Sequence, residues 1–236
     1  MSLSVRKVRI IGHRGAPAHA PENTLSSFRK ALDMKVDYIE LDVRMTKDGV
    51  LIVFHDSDLR RLTGVKRKVR ECTWNFIRTL KVKGKERVLT LDEALEFLVG
   101  KAGLIVEVKE KDIVEKVIDS LRRHDVFSYD YDVYVSSFYH TVVKRALELE
   151  SRLKGAVILV GEPIEPGDVA RKARADVIAL HYEYVDEEVV AKASKYDVKV
   201  IAWTVNDLPT YRRMAQLGVF GVATDDPSIP RMLTLI

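Results

Sequence analysis

The sequence predicts an α/β fold, specifically a distorted (βα)8 barrel, and three observations support this prediction. Short β-branched apolar runs alternate with amphipathic helical stretches along the chain. Most of these runs are apolar throughout, as is typical of parallel strands that helices cover on both faces. The length of 236 residues suits one barrel, so we expect a single catalytic domain over residues 1–236. An open doubly wound sheet is the alternative, but no glycine-rich phosphate loop follows the first strand.

The apolar runs predict nine strands, at 8–12, 38–43, 51–55, 104–109, 132–137, 156–160, 177–181, 199–205 and 221–224. Helices fit between most of them. The first helix starts at the PENT motif, residues 21–24, with an Asn/Thr-type cap, and a later one opens with a capping box formed by Thr90 and Glu93. Further helices are predicted at 112–123, 139–152, 166–174, 186–195, 207–217 and near 228–235.

The connection between the second and third strands is too short for a helix. Its Asp48–Gly49 pair is typical of a two-residue hairpin turn. In that register Lys47 pairs with Val50, and Asp42 lies opposite His55. Removing the antiparallel return strand leaves eight strand–helix units. Residues 56–89 lack clear alternation, so we expect a small insertion at the barrel mouth, after the strand that ends at His55.

Composition excludes several classes of protein. Lys and Arg number 39 against 35 Asp and Glu, and no basic–aromatic stripe points to nucleic acid. The densest basic run, residues 66–70, is interpreted as a solvated loop, with contact to an anionic ligand or a membrane surface as the alternative. The single cysteine, Cys72, cannot form an intrachain disulfide. Neither a secretory h-region nor an apolar run of about 20 residues is present, so we expect a cytoplasmic protein without stable membrane insertion.

Polar side chains interrupt the buried strands near their C-terminal ends, where barrels of this kind gather functional groups. Glu40 and Asp42 are two residues apart, as are Glu107 and Lys109, so each pair shares one face of its strand. We expect one cluster at the mouth, made of His13, Arg14, Glu40, Asp42, His55, Glu107 and Lys109.

Three converging carboxylates predict a bound cation, because burying unpaired charge costs several kcal/mol per ion. Glu40, Asp42 and Glu107 offer only oxygen, which favours one hard divalent cation, Mg²⁺ or Ca²⁺. Arg14 and Lys109 add positive charge suited to a phosphate group. The two histidines are then available to donate and accept protons near neutral pH.

The motifs HRG, PENT, ELDV followed by KDGVLIVFHD, then VEVK, SSF and AWTVN, together resemble the glycerophosphodiester phosphodiesterases. These enzymes are TIM-like barrels related to phosphatidylinositol-specific phospholipase C, and the resemblance runs from about residue 10 to 227. The chain departs from the family pattern at Phe220, where an aspartate is usual, and at Pro17 and His19 in the first loop. The resemblance implies catalytic acid/base roles for His13 and His55, metal ligation by Glu40, Asp42 and Glu107, phosphate contacts from Arg14 and Lys109, a pocket-lining Trp203, and support of the His13 loop by Asn23.

The expected reaction is metal-dependent hydrolysis of a small glycerophosphodiester to sn-glycerol 3-phosphate and an alcohol. One alternative is a phospholipase C- or D-like or lysophospholipase D activity on lipid phosphodiesters, for which Trp74 and Phe76 are candidates for an exposed apolar rim. The other is a catalytically silent phosphate-binding barrel. The sequence leaves a homo-oligomeric state open.

Four further histidines, His19, His124, His140 and His181, are interpreted as structural side chains with satisfied hydrogen bonds. Asp225 and Asp226 are interpreted as caps of the final helix, ahead of Pro227.

Overall fold

The computed structural model describes residues 8–230. Twelve strands lie within this range. They are β1 (Arg9–Gly12), β2 (Tyr38–Met45), β3 (Leu51–Val53), β4 (Lys81–Val82), β5 (Glu86–Arg87), β6 (Leu89–Thr90), β7 (Gly103–Val108), β8 (Val133–Ser137), β9 (Lys154–Leu159), β10 (Val177–His181), β11 (Lys199–Trp203) and β12 (Gly221–Thr224). All nine predicted strands are present, and β4, β5 and β6 are two-residue additions that the sequence pattern did not reveal.

Eight of the strands close into a parallel barrel. The order is β1, β12, β11, β10, β9, β8, β7 and β2, and β1 pairs with β2 to complete the ring. The strands β3 and β6 extend the sheet outside the ring as an antiparallel pair beside β2. The predicted distorted (βα)8 barrel is therefore confirmed.

Seven longer helices alternate with the barrel strands and cover the outside of the ring, and two four-residue helices lie within residues 56–89. They are α1 (Leu25–Asp33), α2 (Arg60–Thr63), α3 (Trp74–Ile77), α4 (Leu91–Leu98), α5 (Val114–Arg123), α6 (His140–Leu149), α7 (Pro166–Lys172), α8 (Glu187–Ser194) and α9 (Leu208–Gln216). Thr24 accepts from the Ser27 amide to cap α1, and Thr90 and Glu93 form the predicted capping box of α4. The terminal helix predicted near 228–235 falls largely outside the described range.

The apolar core has two layers. Leucine, valine and isoleucine side chains fill the space between the ring and its helices, as the continuous apolar strands require. Inside the ring, Tyr38 and Tyr134 pack edge to face with ring centroids 5.7 Å apart. Above them the lining is small or aliphatic, for example Ile105, Ala156 and Ala223. The ring is therefore filled at one end and open at the mouth.

The predicted register of the β2–β3 hairpin is wrong by one residue. Val43 pairs with Val53 and Met45 with Leu51, so residues 47–49 form a three-residue loop. Gly49 takes the left-handed conformation at φ 84° that such a loop needs. The Thr46 hydroxyl accepts from the Val50 amide and fixes this longer turn. Asp42 consequently lies opposite Phe54 rather than His55, because the Phe54 amide donates to the Asp42 carbonyl.

Residues 56–89 form a compact insertion at the mouth, with α2, α3 and the β4–β5 hairpin. A small apolar core of its own, including Leu62 and Ile77, holds it together. Trp74 and Phe76 are half-buried against that core. The expectation that these two aromatic side chains form an exposed rim is therefore wrong. No helix within residues 8–230 combines the length and the apolar character needed to cross a bilayer.

Candidate active site

The three predicted carboxylates meet at the mouth. Asp42 on β2 is in register with Glu107 on β7, and Glu40 lies two residues before Asp42 on the same face. The residues are at most 8% exposed, and each offers an oxygen within 4.8 Å of the other two. Such a set of buried carboxylate oxygens can hold one cation.

Two cations partly compensate this negative charge. Lys109 Nζ lies 2.6 Å from Glu107 Oε1 and 3.3 Å from Asp42 Oδ1. Arg14 Nε lies 3.2 Å from Asp42 Oδ2, and the Arg14 amide donates to Glu40 Oε2 at 2.8 Å. With all five groups ionised, one negative charge stays uncompensated.

The pKa values follow from this crowding. Burial, and then repulsion by Asp42, raises the pKa of Glu107 to about 7. Burial and the neighbouring carboxylates raise the pKa of Glu40 well above its usual range. Burial would raise the pKa of Asp42 too, but Lys109 and Arg14 outweigh it and lower that pKa. Asp42 Oδ1 has no hydrogen-bond partner among the described residues.

The loop after β1 presents His13 and Arg14 to the site. Arg14 takes the left-handed conformation at φ 54°, and Gly15 follows at φ 91°. A side chain at Gly15 would press on Ser27, whose carbonyl carbon would lie 2.7 Å from the added Cβ. Ser27 in turn donates its hydroxyl to the Arg14 carbonyl. This tight turn explains why the sequence places a glycine directly after the His–Arg pair.

His13 is oriented by a residue of the last barrel strand's loop. Its Nδ1 lies 2.7 Å from Asp225 Oδ1, and Asn206 Nδ2 donates to Asp225 Oδ2 at 2.7 Å. Burial would raise the pKa of Asp225, but the hydrogen bonds from His13 and Asn206 lower it. Asp225 therefore contacts a predicted catalytic histidine, and its interpretation as a helix cap missed this contact.

His55 has a similar partner. Its Nδ1 lies 2.7 Å from Asp56 Oδ1, and Asp56 also binds Arg61 of the insertion, with Nε to Oδ2 at 2.7 Å. Arg61 continues to Glu22 through two hydrogen bonds of 2.6 and 2.7 Å, and Glu22 binds Arg14 at 2.9 Å. Burial lowers the pKa of His55. A chain of alternating charges thus joins the insertion, both strand loops and the carboxylate cluster.

Asn23 supports the carboxylates more directly than the sequence suggested. Its Nδ2 donates to Asp42 Oδ2 at 2.8 Å, and the side chain is buried. Only its backbone amide, which donates to the Arg14 carbonyl, touches the loop that carries His13.

A cavity of about 330 Å³ opens above the carboxylates. One wall is polar and carries His13, Arg14, Glu40, His55 and Glu107. The other wall is apolar, with Phe138 and Trp203 in edge-to-face contact at 5.9 Å. Lys109 does not line this cavity, since its ammonium lies behind Glu107 against the carboxylates. Asp42 and Asn23 are buried and do not line it either, and the other six predicted site residues do.

The four histidines interpreted as structural side chains differ in their surroundings. His19 bonds Asp226 at 2.9 Å, His124 bonds Asp92 at 3.2 Å, and His140 bonds the Ile158 carbonyl at 3.0 Å. His181 is the exception, because its buried Nδ1 lacks a hydrogen-bond partner within residues 8–230. Its ring packs instead against Trp203 and Tyr182.

Sequence reasoning missed Glu22, Asp56, Arg61 and Asp225. Asp56 directly follows His55, a predicted catalytic residue, and Asp225 directly follows the last barrel strand. Their positions in the sequence therefore could have identified both as candidate site residues. Nothing in the local sequence indicates that Arg61 reaches Glu22.

Known proteins match this chain along nearly its whole length. The model of the glycerophosphoryl diester phosphodiesterase family matches residues 13–229. The chain belongs to this family. A glycerophosphodiester phosphodiesterase of Caldanaerobacter subterraneus is 32% identical over 94% of the chain and 95% of its own length. One of Bacillus subtilis is 29% identical, over 96% of the chain and 86% of its own length. The predicted family and enzyme class are therefore confirmed.

Solved structures agree with the fold. A glycerophosphodiester phosphodiesterase from Thermotoga maritima superposes with a TM-score of 0.82 at 27% identity, covering 98% of this chain and 99% of its own. A phosphodiesterase from Oleispira antarctica, solved with the product sn-glycerol-3-phosphate, gives a TM-score of 0.87 at 24% identity, covering 96% of each chain. Both matches support the barrel of this glycerophosphodiester phosphodiesterase.

Proposed function

We propose that the protein hydrolyses small glycerophosphodiesters to sn-glycerol 3-phosphate and an alcohol, with a divalent cation and the two histidines His13 and His55. One observation carries the proposal: buried carboxylates, an arginine and two aspartate-bound histidines line a single cavity. We further propose that residues 1–236 act as one catalytic domain, with 56–89 as its insertion. The cytoplasmic location stays a prediction.

The donor set supports a hard cation, Mg²⁺ or Ca²⁺, held by Glu40, Asp42 and Glu107. Asp42 Oδ1 is buried without a hydrogen-bond partner in the described part of the chain, and the pKa values of Glu40 and Glu107 are raised. A divalent ion changes the excess of one negative charge in this cluster into one positive charge. A phosphodiester carries one negative charge, so it then balances the site. When bound, the ion supplies Lewis-acid stabilisation of charge on the phosphoryl oxygens.

The histidines are suited to move protons. Each holds an aspartate through Nδ1, and no hydrogen bond occupies its Nε2 within residues 8–230. Burial lowers the pKa of His55, which favours the neutral ring, and Nε2 can accept a proton when Nδ1 donates to Asp56. One histidine deprotonates the nucleophile. This is either water, or the glycerol 2-hydroxyl, whose attack gives a cyclic phosphate that water then opens to sn-glycerol 3-phosphate. The other protonates the leaving alcohol oxygen.

Charge and shape orient the substrate. Arg14 lines the cavity and contacts the phosphate, while Lys109 contributes its charge from behind Glu107. Trp203 and Phe138 give the opposite wall an apolar surface for the carbon atoms of the substrate. A silent phosphate-binding barrel would not need two histidines with aspartate partners at the same cavity.

The test is release of sn-glycerol 3-phosphate from a panel of glycerophosphodiesters, with Mg²⁺ or Ca²⁺ and with a chelator. We expect His13→Asn and His55→Asn each to lower kcat by about 10²–10⁴-fold. His124→Asn is the matched control, because His124 bonds Asp92 away from the site. Near-parental turnover by either folded site variant would refute the two-histidine mechanism. Release that persists in chelator would refute the metal requirement.

A further inference from the structure

The insertion carries an unusual excess of positive charge. Residues 56–89 contain eleven Lys and Arg against four Asp and Glu, a net charge of +7 in a chain whose total is +4. Arg61, Arg70 and Arg87 are engaged in ion pairs. Eight others are exposed, and within residues 8–230 no carboxylate oxygen lies within 4 Å of their charged side-chain groups: Arg60, Lys66, Arg67, Lys68, Arg78, Lys81, Lys83 and Lys85.

This pattern differs from an ordinary solvated surface, in which both signs of charge are interspersed. On the rest of the protein most exposed arginines have carboxylate partners, as in Arg145 with Glu115 and Arg171 with Asp168. A surface of one sign attracts a partner of the opposite sign over about a Debye length. The basic insertion, defined as residues 60–85, therefore fits an extended anionic partner.

The opposite arc of the mouth is exposed and apolar. Seven large hydrophobic side chains are exposed in the described chain, and five of them follow the C-terminal ends of the neighbouring strands β8, β9 and β10. The most exposed are Val160 at 62% and Ile164 at 85%. Phe138 of this arc also lines the active-site cavity. We name this set the apolar arc: Phe138, Tyr139, Val160, Ile164 and Tyr184.

The basic insertion and the apolar arc are continuous along one rim. Arg70 of the insertion binds Glu110 and Asp112 in the loop after β7. In the same loop Lys111 lies over the ring of Tyr139, with its ammonium 5.0 Å from the ring centroid. The loops after β7, β8, β9 and β10 follow the C-terminal ends of parallel barrel strands, where the mouth lies. The insertion is tied to the same end of the barrel by Arg61, which binds Glu22, and by Arg70.

We propose that this rim docks the protein reversibly on an anionic lipid surface, with the mouth turned towards the lipid. The unpaired cations supply the electrostatic attraction, and the apolar arc supplies shallow contact with the acyl boundary. Glu162 and Glu165 are close in sequence to Val160 and Ile164 of the apolar arc. The electrostatic attraction to anionic lipid therefore comes from the basic insertion and not from the apolar arc. Exposed aliphatic side chains on the same rim as the cations favour lipid over nucleic acid, whose backbone and bases offer them no apolar layer to enter.

The test is co-sedimentation with phosphatidylcholine vesicles that contain about one third phosphatidylglycerol. We expect binding to these vesicles, little binding to pure phosphatidylcholine, and loss of binding at about 0.5 M NaCl. The triple variant Lys81→Gln, Lys83→Gln, Lys85→Gln should bind about 100-fold more weakly. The matched control Lys30→Gln, Lys144→Gln, Lys195→Gln, with exposed lysines on outer helices, should bind as the parent does.

The apolar arc has its own test. Ile164→Ser should weaken vesicle binding about tenfold, while Ile164→Leu should retain it. All these variants should keep parental turnover of water-soluble glycerophosphodiesters. Equal binding by the Lys81 triple variant and the parent would overturn the proposal, as would equal loss in the control. Binding of the parent to duplex DNA without binding to the anionic vesicles would assign the surface to nucleic acid and overturn it as well.

Discussion

Asp225 sets the orientation of His13, and replacing it with asparagine is the sharpest test of the site's hydrogen bonding. Asp225 Oδ1 lies 2.7 Å from His13 Nδ1, and its Oδ2 accepts from Asn206 Nδ2 at 2.7 Å. Asn206 cannot turn over, since its Oδ1 accepts from the Asp225 amide at 2.9 Å and from the Thr224 hydroxyl at 3.3 Å. After Asp225→Asn, the new side chain must therefore keep its oxygen towards Asn206 and point its NH₂ group at His13.

That arrangement reverses the hydrogen-bonding role of His13 Nδ1. Nδ1 would have to accept, which moves the ring proton to Nε2, the nitrogen that faces the cavity. A hydrogen bond to a charged group is worth about 1.5–3 kcal/mol, and about 1.4 kcal/mol corresponds to a tenfold change in rate. We therefore expect Asp225→Asn to lower kcat about 100-fold. KM should change little, because Asp225 does not line the cavity.

The assay is steady-state release of sn-glycerol 3-phosphate by variants that retain the parental circular dichroism spectrum. Asp226→Asn is the matched control, since Asp226 binds His19 and Ser228 outside the cavity. The double variant Asp225→Asn, Asn206→Asp should recover part of the activity. The carboxylate introduced at position 206 would accept from the NH₂ group of the asparagine at position 225. The side-chain oxygen of that asparagine would then face His13 Nδ1 again. A kcat for Asp225→Asn within threefold of the parent would refute the reasoning, as would failure of the double variant to improve on the single one.

Three further predictions concern stability. Burial raises the pKa of Glu107 to about 7, so the metal-free protein should lose stability as pH rises from 5 to 8, and Mg²⁺ or Ca²⁺ should raise its Tm more at pH 8. Arg61→Ala should lower the free energy of unfolding in urea by about 2 kcal/mol. The loss is smaller than for a fully buried ion pair, because Arg61 is half-exposed and Glu22 retains its ion pair with Arg14. Arg61→Lys should recover part of the loss. Gly15→Ala should cost at least about 2 kcal/mol in the same assay, because the added Cβ would press on Ser27 in addition to the backbone strain at φ 91°.

Each of these has a contradicting outcome. A metal-free Tm that rises from pH 5 to pH 8 would show that Glu107 is stabilised in its ionised form. Urea midpoints for Arg61→Ala and Gly15→Ala that match the parent would show that neither the ion-pair chain nor the tight turn holds the mouth together. Gly64→Ala serves as the control for Gly15, because Gly64 also has a positive φ but an added Cβ would meet no neighbouring atom.

The barrel could be predicted from the sequence because its strands are buried on both faces. Such strands are continuous apolar runs, and they keep that signature whatever lies beside them. The two-residue strands β4 and β5 of the insertion have no such signature, since Lys81 and Arg87 are exposed and only Val82 is buried in this hairpin. The hairpin register between β2 and β3 was mispredicted for a different reason. The Thr46 hydroxyl stabilises a three-residue loop by one side-chain hydrogen bond, which the Asp48–Gly49 signal does not reveal.

The carboxylate cluster could be predicted from period-two spacing on neighbouring strands, but the aspartate partners of the histidines could not be predicted in this way. Asp225 is remote from His13 in sequence, and only closure of the ring makes β12 a neighbour of β1. The link from Arg61 to Glu22 depends on how the insertion folds back over the first loop. Long-range polar contacts of this kind have no periodicity, so they follow from the three-dimensional arrangement alone.

The pairing of β1 with β12 has a consequence for how the protein acquires activity during synthesis. His13 leaves the ribosome long before Asp225, because the two residues lie 212 positions apart in the chain. Contacts so distant in sequence form late, after the intervening loop entropy has been lost. A chain whose ring has not closed holds its carboxylate cluster on β2 and β7 but lacks an oriented His13. With His13 in its proposed acid/base role, turnover requires closure of the ring, and a partly assembled barrel should bind cations before it can cleave a phosphodiester.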